Sequence, residues 1–286
     1  MKNKESKPKK LKVKNKTGKW VFKIKVIHTA VFAGLSVLLL VGFSIYQGFS
    51  PSELLTFSFY ESLANPSVRV VHIREGLRKE EVAMVLEDKL NWTGKETEEF
   101  LNAHEVLGRS SLEGYFFPKS YFLHKDTEPV KVAEVMVSTL ENKMRSIKKP
   151  KNKGIVNEDT VLKIASLIQR ESGGKQDMNL ISGIIWNRIF SGMKLQVDAT
   201  LQYAKGNENG WWPSVKPEDK YIESPYNTYL YKDLPPTPIS SPGLSAIEAA
   251  YNPVKTSCIF YMHDKKGKIH CSKTYEEHKR NIDRYY

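Results

Sequence analysis

One carboxylic acid stands out for its setting: Glu171, in the run Ile164-Ala165-Ser166-Leu167-Ile168-Gln169-Arg170-Glu171-Ser172-Gly173-Gly174. It follows Ile168 by three residues, Leu167 by four and Ile164 by seven, spacings that place it on the apolar stripe of a helix beginning near Val161. Lys163, Ser166 and Arg170 fall largely on the other side. A carboxyl group among apolar neighbours is disfavoured as the anion, so its pKa rises. An acid that keeps its proton near neutral pH is what cleavage of a glycosidic bond requires. The same pattern fits a structural role, with Glu171 ending a helix and pairing with a nearby Arg or Lys. Gly173-Gly174 are expected to stop the helix and leave room for a ligand.

The elements that would position this acid follow from periodicity and punctuation. Val68 to Ile73 reads as a strand, Arg74-Glu75-Gly76 as a turn, and Lys79 to Leu90 as an amphipathic helix. Asn91-Trp92-Thr93-Gly94 breaks that helix and a shorter one runs from Thr97 to His104, completing a small β-α-α unit. Such a unit is too small for a large core of its own and needs a neighbour to pack on. Glu113-Gly114-Tyr115-Phe116-Phe117-Pro118 reads as an aromatic strand or turn, and 128–146 as a long helix. After the Glu171 helix, another spans Met178 to Phe190. Residues 194–245 are rich in aromatics, Pro, Asn, Ser and Thr. That composition suits a sugar cleft, where rings stack on pyranose faces and amides bond hydroxyls, and equally an ordinary Pro-rich loop. A helix at 245–251, a hairpin and a helix at 275–285 close the chain.

The 286 residues carry a formal charge of +12, but residues 1–25 hold eleven Lys and one Glu and account for +10 of it. The basicity therefore belongs to a tail. From Val26 to about Tyr46 there is no Asp, Glu, Lys or Arg, a run long enough to span a bilayer. A Lys-rich flank stays cytoplasmic, so the tail is expected to set topology and not to bind nucleic acid. No small-residue cleavage site follows the apolar run, which favours an uncleaved anchor with everything after residue 48 facing outward. Cys258 and Cys271 lie in that outward part. If Lys266-Gly267 make the hairpin turn, Cys258 faces a residue beyond Cys271, and two free, partly buried thiols are expected. No Cys/His pattern suggests a metal site.

Several pieces together resemble the endolytic murein transglycosylase family (MltG/YceG-like). They are Glu-Gly-Tyr-x-x-Pro at 113–118, Ala-Ser-x-Ile-x-x-Glu at 165–171, Asn187-Arg188, Leu195-Gln196-x-Asp198-x-Thr200, Tyr226-Asn227-Thr228-Tyr229, and Leu234-Pro235-Pro236-x-Pro238-Ile239 with Pro242-Gly243. The resemblance covers essentially the whole chain. It implies an α+β fold: basic tail 1–25, single N-terminal transmembrane helix 26–48, connector 49–65, small LysM-like βαα subdomain 66–105, and mixed α/β catalytic domain 106–286. It implies a plasma-membrane enzyme that cleaves peptidoglycan glycan strands to 1,6-anhydromuramic ends without metal or organic cofactor. Membrane lipid and cell-wall synthesis proteins are the expected further partners, and a non-catalytic peptidoglycan-binding scaffold is the alternative. Glu171 falls on the catalytic position. Glu113, Gln169, Gln196, Asp198, Thr200, Tyr226, Asn227 and Tyr229 are the expected substrate-binding residues, Asp198 serving equally well to orient Glu171 or to cap a helix. The chain departs from the family pattern at Gln169, where a second Glu is common, and at Lys119, where Asp is usual. It departs again at Ile269-His270-Cys271, where His-x-Phe often follows Gly-Lys. His270 lies one residue from that histidine's place, and a one-residue shift on a strand points to the opposite face.

Overall fold

The computed structural model describes Gly42, residues 56–148 and residues 157–285. The basic tail, most of the apolar run and most of the connector lie outside the described residues. Among the described residues no helix is long and apolar enough to cross a membrane. Contacts divide the chain after Phe59, and Tyr60–Tyr286 form one unit, whose geometry is given below. It is a mixed α/β structure of helices with two small sheets.

The first part of this unit contains strand β1 (Val68–His72), reached after helix α1 (Phe57–Ala64), then α2 (Lys79–Leu90), α3 (Gly94–Leu101) and the short α4 (Ala103–Val106). Strand β2 (Ser120–His124) and helix α5 (Pro129–Ser146) follow. Thr93 caps α3: its hydroxyl accepts from the Glu96 N–H, and Glu96 reaches back to the Thr93 N–H at 2.8 Å, a reciprocal cap that restarts the chain after the Asn91 break. Asn91 ends α2 in the left-handed region, φ 55°, which Asn tolerates. β1 and β2 pair antiparallel, Val68 with His124 through His72 with Ser120. The strand of the unit read at 66–105 thus takes its partner from beyond residue 105. One core joins Val71, Leu86 and Phe100 to Tyr121, Val132 and Met136, so the packing unit reaches into α5.

A second core is built on helix α6 (Glu158–Glu171), helix α7 (Lys175–Phe190) and helix α9 (Leu244–Tyr251), with α8 (Asp198–Lys205) at its side. The run 113–118 joins the two cores. It is a turn and not a strand: Phe116 enters the first core, Phe117 the second, and Tyr115 packs on both. Gly114 is required there. Its φ is +80°, and a Cβ would come within 2.4 Å of the Pro238 side chain.

Strands β3 (Phe260–His263) and β4 (Ile269–Ser272) form the hairpin, and α10 (Tyr275–Tyr285) packs against it. The register pairs Tyr261 with Cys271 and His263 with Ile269. Cys258 and Cys271 are disulfide-bonded, with Cα atoms 5.8 Å apart, which corrects the expectation of free thiols. Ladder register did not decide the matter, because β3 begins only at Phe260 and Cys258 lies outside the ladder.

Candidate active site

Helix α6 is long enough to cross the second core and deliver its last residue to the surface. The Asn157 side chain starts it by accepting from the Asp159 N–H at 3.0 Å, and Glu158 and Asp159 suit the positive end of the helix. Val161, Leu162, Ile164, Ala165, Leu167 and Ile168 are all buried. Ser166 is buried too, against the sequence expectation. The segment Ile239-Ser240 crosses that side of the helix, with the Ile239 N–H donating to Ser166 Oγ at 3.0 Å. The helix ends at Glu171 and the chain turns extended at Ser172. Gly173 is needed for space and not for backbone freedom: a Cβ there would press on Asp177 Oδ2 and His263 Cδ2, each at 3.3 Å.

The Glu171 side chain keeps part of its surface open while protein atoms crowd its carboxyl group. Burial raises its pKa; bonds from Tyr261 and Ala199 work against this, the charge of Asp198 adds to it and His263 opposes it. Tyr261 Oη donates to Glu171 Oε2 at 2.7 Å, and the Ala199 N–H, in the first turn of α8, reaches Oε1 at 3.4 Å. Tyr261 is itself pushed well above its ordinary pKa by burial and by Glu171, so it remains a neutral donor. Among the described residues no Lys or Arg is ion-paired with Glu171. The neighbouring Arg170 guanidinium lies 3.7 Å from the Trp212 ring centroid and reaches the Gly76 carbonyl. The reading of Glu171 as a paired helix-end carboxylate therefore does not describe this site.

Asp198 opens α8 but makes no side-chain cap; it accepts from Tyr229 Oη at 2.5 Å beside Glu171. Asp198 and Tyr229 are thus brought to the acid. Gln196 is exposed on the same approach, in the left-handed region at φ 52°, its N–H bonded to Thr228. Thr200 and Asn227 are fully buried. Thr200 bonds Val197 and Thr228, and Asn227 holds the carbonyls of Lys220 and Ile222, so both are spent on bonds inside the protein and neither is open to a ligand.

Three further expected residues lie elsewhere. Gln169 accepts from the Gly243 N–H at 2.9 Å and fixes the start of α9. Glu113 is buried beside Lys79 and Tyr203, whose ring packs on Tyr226 with centroids 4.6 Å apart. Tyr226 Oη bonds Thr237. A cavity of about 380 Å³ touches Glu113, Lys163 and Thr237 but not Glu171. Lys163 precedes Glu171 by eight residues, roughly 12 Å along the helix, so this cavity is separate from the acid.

Sequence reasoning missed Tyr261, Asp177 and His263. Tyr261 and His263 alternate on β3 and so share one face. The signal was present in the alternation, but nothing local says that this face meets the end of α6. The docking is done by α7. Asn179, Gly183 and Asn187 form one stripe at i, i+4 and i+8 that seats residues 252–258. Asn179 bonds Asn252 and Val254, and Asn187 Nδ2 donates to the carbonyls of Thr256 and Cys258. Buried Arg188 donates to the carbonyls of Ile259 and Leu195, tying β3 to the approach of α8. A Cβ at Gly183 would lie 2.2 Å from the Val254 carbonyl oxygen. Gly183→Val is accordingly expected to cost about 3 kcal/mol or more and to loosen the hairpin. Urea unfolding checks it; a midpoint equal to the parent's contradicts the close packing.

The sequence pattern of the YceG-like family matches residues 43–284. The endolytic murein transglycosylase of Bacillus subtilis (strain 168) is 29% identical over 235 residues, covering 75% of this chain and 64% of that protein. The endolytic murein transglycosylase of Streptococcus pneumoniae serotype 2 (strain D39 / NCTC 7466) is 34% identical over 190 residues, 64% of this chain and 34% of that protein. The chain thus spans less than two thirds of the length of these curated relatives. A crystal structure of a yceG-like protein from Listeria monocytogenes superposes with a TM-score of 0.63 at 24% identity, covering 76% of each chain, a likeness of fold.

Proposed function

We propose that this chain, which belongs to the YceG-like family, is an endolytic peptidoglycan lytic transglycosylase with Glu171 as its acid and then its base. The observation that carries this reading is the crowded, unpaired Glu171 carboxyl, with its raised pKa and a neutral Tyr261 donor on one oxygen. Two similar proteins are named endolytic murein transglycosylase, which supports peptidoglycan as substrate. Glu171 gives its proton to the glycosidic oxygen as the bond from muramic C1 breaks. The substrate's N-acetyl oxygen supports the cationic centre. Glu171, now anionic, takes the proton of the muramic 6-hydroxyl as O6 bonds C1. The acid is restored and no water is consumed. Tyr261 and the Ala199 N–H hold the anion between the two steps.

Asp198 is the second carboxylate close by, and two carboxylates also serve hydrolysis. Mass spectrometry of products from polymeric peptidoglycan separates the two. Anhydromuramic ends from the full-length parent, absent with Glu171→Gln, support the proposal. Reducing ends would make it a muramidase, and binding without cleavage would leave a glycan-binding scaffold.

Anchoring by the apolar run at 26–48, an outward-facing catalytic unit and action on nascent strands beside synthesis proteins belong to the same proposal. The disulfide suits an oxidising compartment. The order β1-α2-α3-α4-β2 with its two strands paired supports a LysM-like role in glycan contact.

Tyr261→Phe removes the bond that lowers the Glu171 pKa. The Glu171 titration is then expected to move to higher pH, and kcat to fall about 10- to 100-fold, the worth of one hydrogen bond to a charged group. NMR titration of labelled Glu171, with rates across pH, reads both, and an unmoved midpoint would show that Tyr261 does not support the anion.

A further inference from the structure

Asp177 and His263 lie against the same end of α6, and no step above uses them. Asp177 is buried in the first turn of α7, where the helix end favours a carboxylate. Its Oδ2 lies 3.2 Å from His263 Nε2. A carboxylate only accepts, so that contact places the imidazole proton on Nε2. Nδ1, which takes no hydrogen bond among the described residues, is then an acceptor. His263 is partly exposed and shares the β3 face with Tyr261, whose hydroxyl bonds Glu171.

We propose that His263, oriented by Asp177, is a second substrate-touching residue of the Glu171 site, its Nδ1 accepting a hydrogen bond from a hydroxyl or amide N–H of the glycan strand. This rests on the proposed glycan-cleaving function. A purely structural pair would need no open imidazole edge, and Gly173 leaves the pair unobstructed, since a Cβ there would press on Asp177 Oδ2 and His263 Cδ2 at 3.3 Å each. His263 is also the direct cross-strand partner of Ile269. Partners in such a ladder project to one face with Cβ atoms roughly 5 Å apart. His270, by contrast, bonds Asp264 at 2.9 Å and stacks on Tyr285, on the other face.

The test compares the full-length parent with His263→Ala, Asp177→Asn and the double variant His263→Ala/Ile269→His on uncrosslinked glycan strands. His263→Ala is expected to lower kcat/KM about 10-fold or more, chiefly through KM. Asp177→Asn should do so by less, and the double variant should recover most of the loss, because it returns an imidazole to the same face. Parent-like kinetics for His263→Ala would overturn the inference, as would a loss that the double variant leaves unrepaired. Glycan binding to Glu171→Gln with and without His263→Ala reads the same contact without turnover. Equal affinities overturn the inference even if the parent makes anhydro ends. If the parent cleaves nothing, the catalytic proposal fails on its own, and about 10-fold weaker binding without the imidazole still supports the His263 contact.

Discussion

Glu171→Gln is expected to lower the rate of glycan cleavage by about 10³-fold or more, within the range general acid–base groups supply, without loss of stability. Gln keeps the size of the side chain, and its one carbonyl oxygen can still accept from Tyr261. What disappears is the proton to be given and the anion that must be buried. Burial raises the Glu171 pKa above its ordinary value of 4.5, so between the unfolded and folded values the native state holds more protons than the unfolded one. The parent is therefore favoured at low pH and loses this share of stability as pH rises through the folded value. Gln does not titrate, so the variant should be at least as stable as the parent above that range. In the parent, cleavage should decline as pH rises past the raised pKa, because the acid has already lost its proton. Initial rates together with thermal unfolding across pH check both. A variant as inactive as expected but markedly less stable would mean that Glu171 acts through the fold.

The acid was legible in the sequence because its signal is local: a carboxyl at helical spacing from Ile164, Leu167 and Ile168, with glycines after it. Asp198 and Tyr229 were implied by the family resemblance, in a run whose composition fits a sugar cleft and an ordinary loop alike. The same resemblance brought in Thr200 and Asn227, which the fold buries to bind loop backbone. Composition does not distinguish a polar side chain that faces a ligand from one that satisfies carbonyls behind the wall. Gln169 and Glu113 proved to be bonds between segments. Gln169 holds the start of α9, and Glu113 lies between α2 and α8. Tyr261 and His263 escaped notice because their role depends on which helix the hairpin meets, and the Asn179-Gly183-Asn187 stripe that decides this lies some seventy residues earlier. The long helices and the hairpin followed from periodicity, whereas the short helices α1 and α8, strand β2 and its pairing with β1 across about fifty residues did not. The disulfide lies beyond a register argument, because Cys258 sits outside the ladder that such an argument describes.

Glu113→Gln is expected to flatten the pH dependence of stability, since Glu113 is the most completely enclosed of the expected site carboxyls. Its side chain accepts from Tyr203 Oη at 3.1 Å and from the Gly114 N–H at 3.1 Å, with the Lys79 N–H at 3.4 Å. Burial, with Glu80 adding to it, raises its pKa to about 8, while Arg78 and the bonds from Lys79 and Tyr203 oppose the rise. In the unfolded chain the group titrates near 4.5. Between those values the native state again holds the extra proton, so stability falls as pH rises and the fall is complete above about pH 8. From pH 6 to pH 9 this one group should remove roughly 3 kcal/mol from the parent, taking 1.36 kcal/mol per pH unit. Gln supplies only one acceptor oxygen, so the variant should be somewhat less stable than the parent at pH 6. At pH 9 the order should narrow or reverse, because Gln carries no charge into the site. Urea unfolding of both proteins at the two pH values gives the four free energies needed. An equal fall in both would mean that Glu113 is ionised in the folded protein well below pH 6. The three donors around it would then stabilise the anion, and the junction between α2 and α8 would be an ion-binding contact instead of a neutral hydrogen-bonded one.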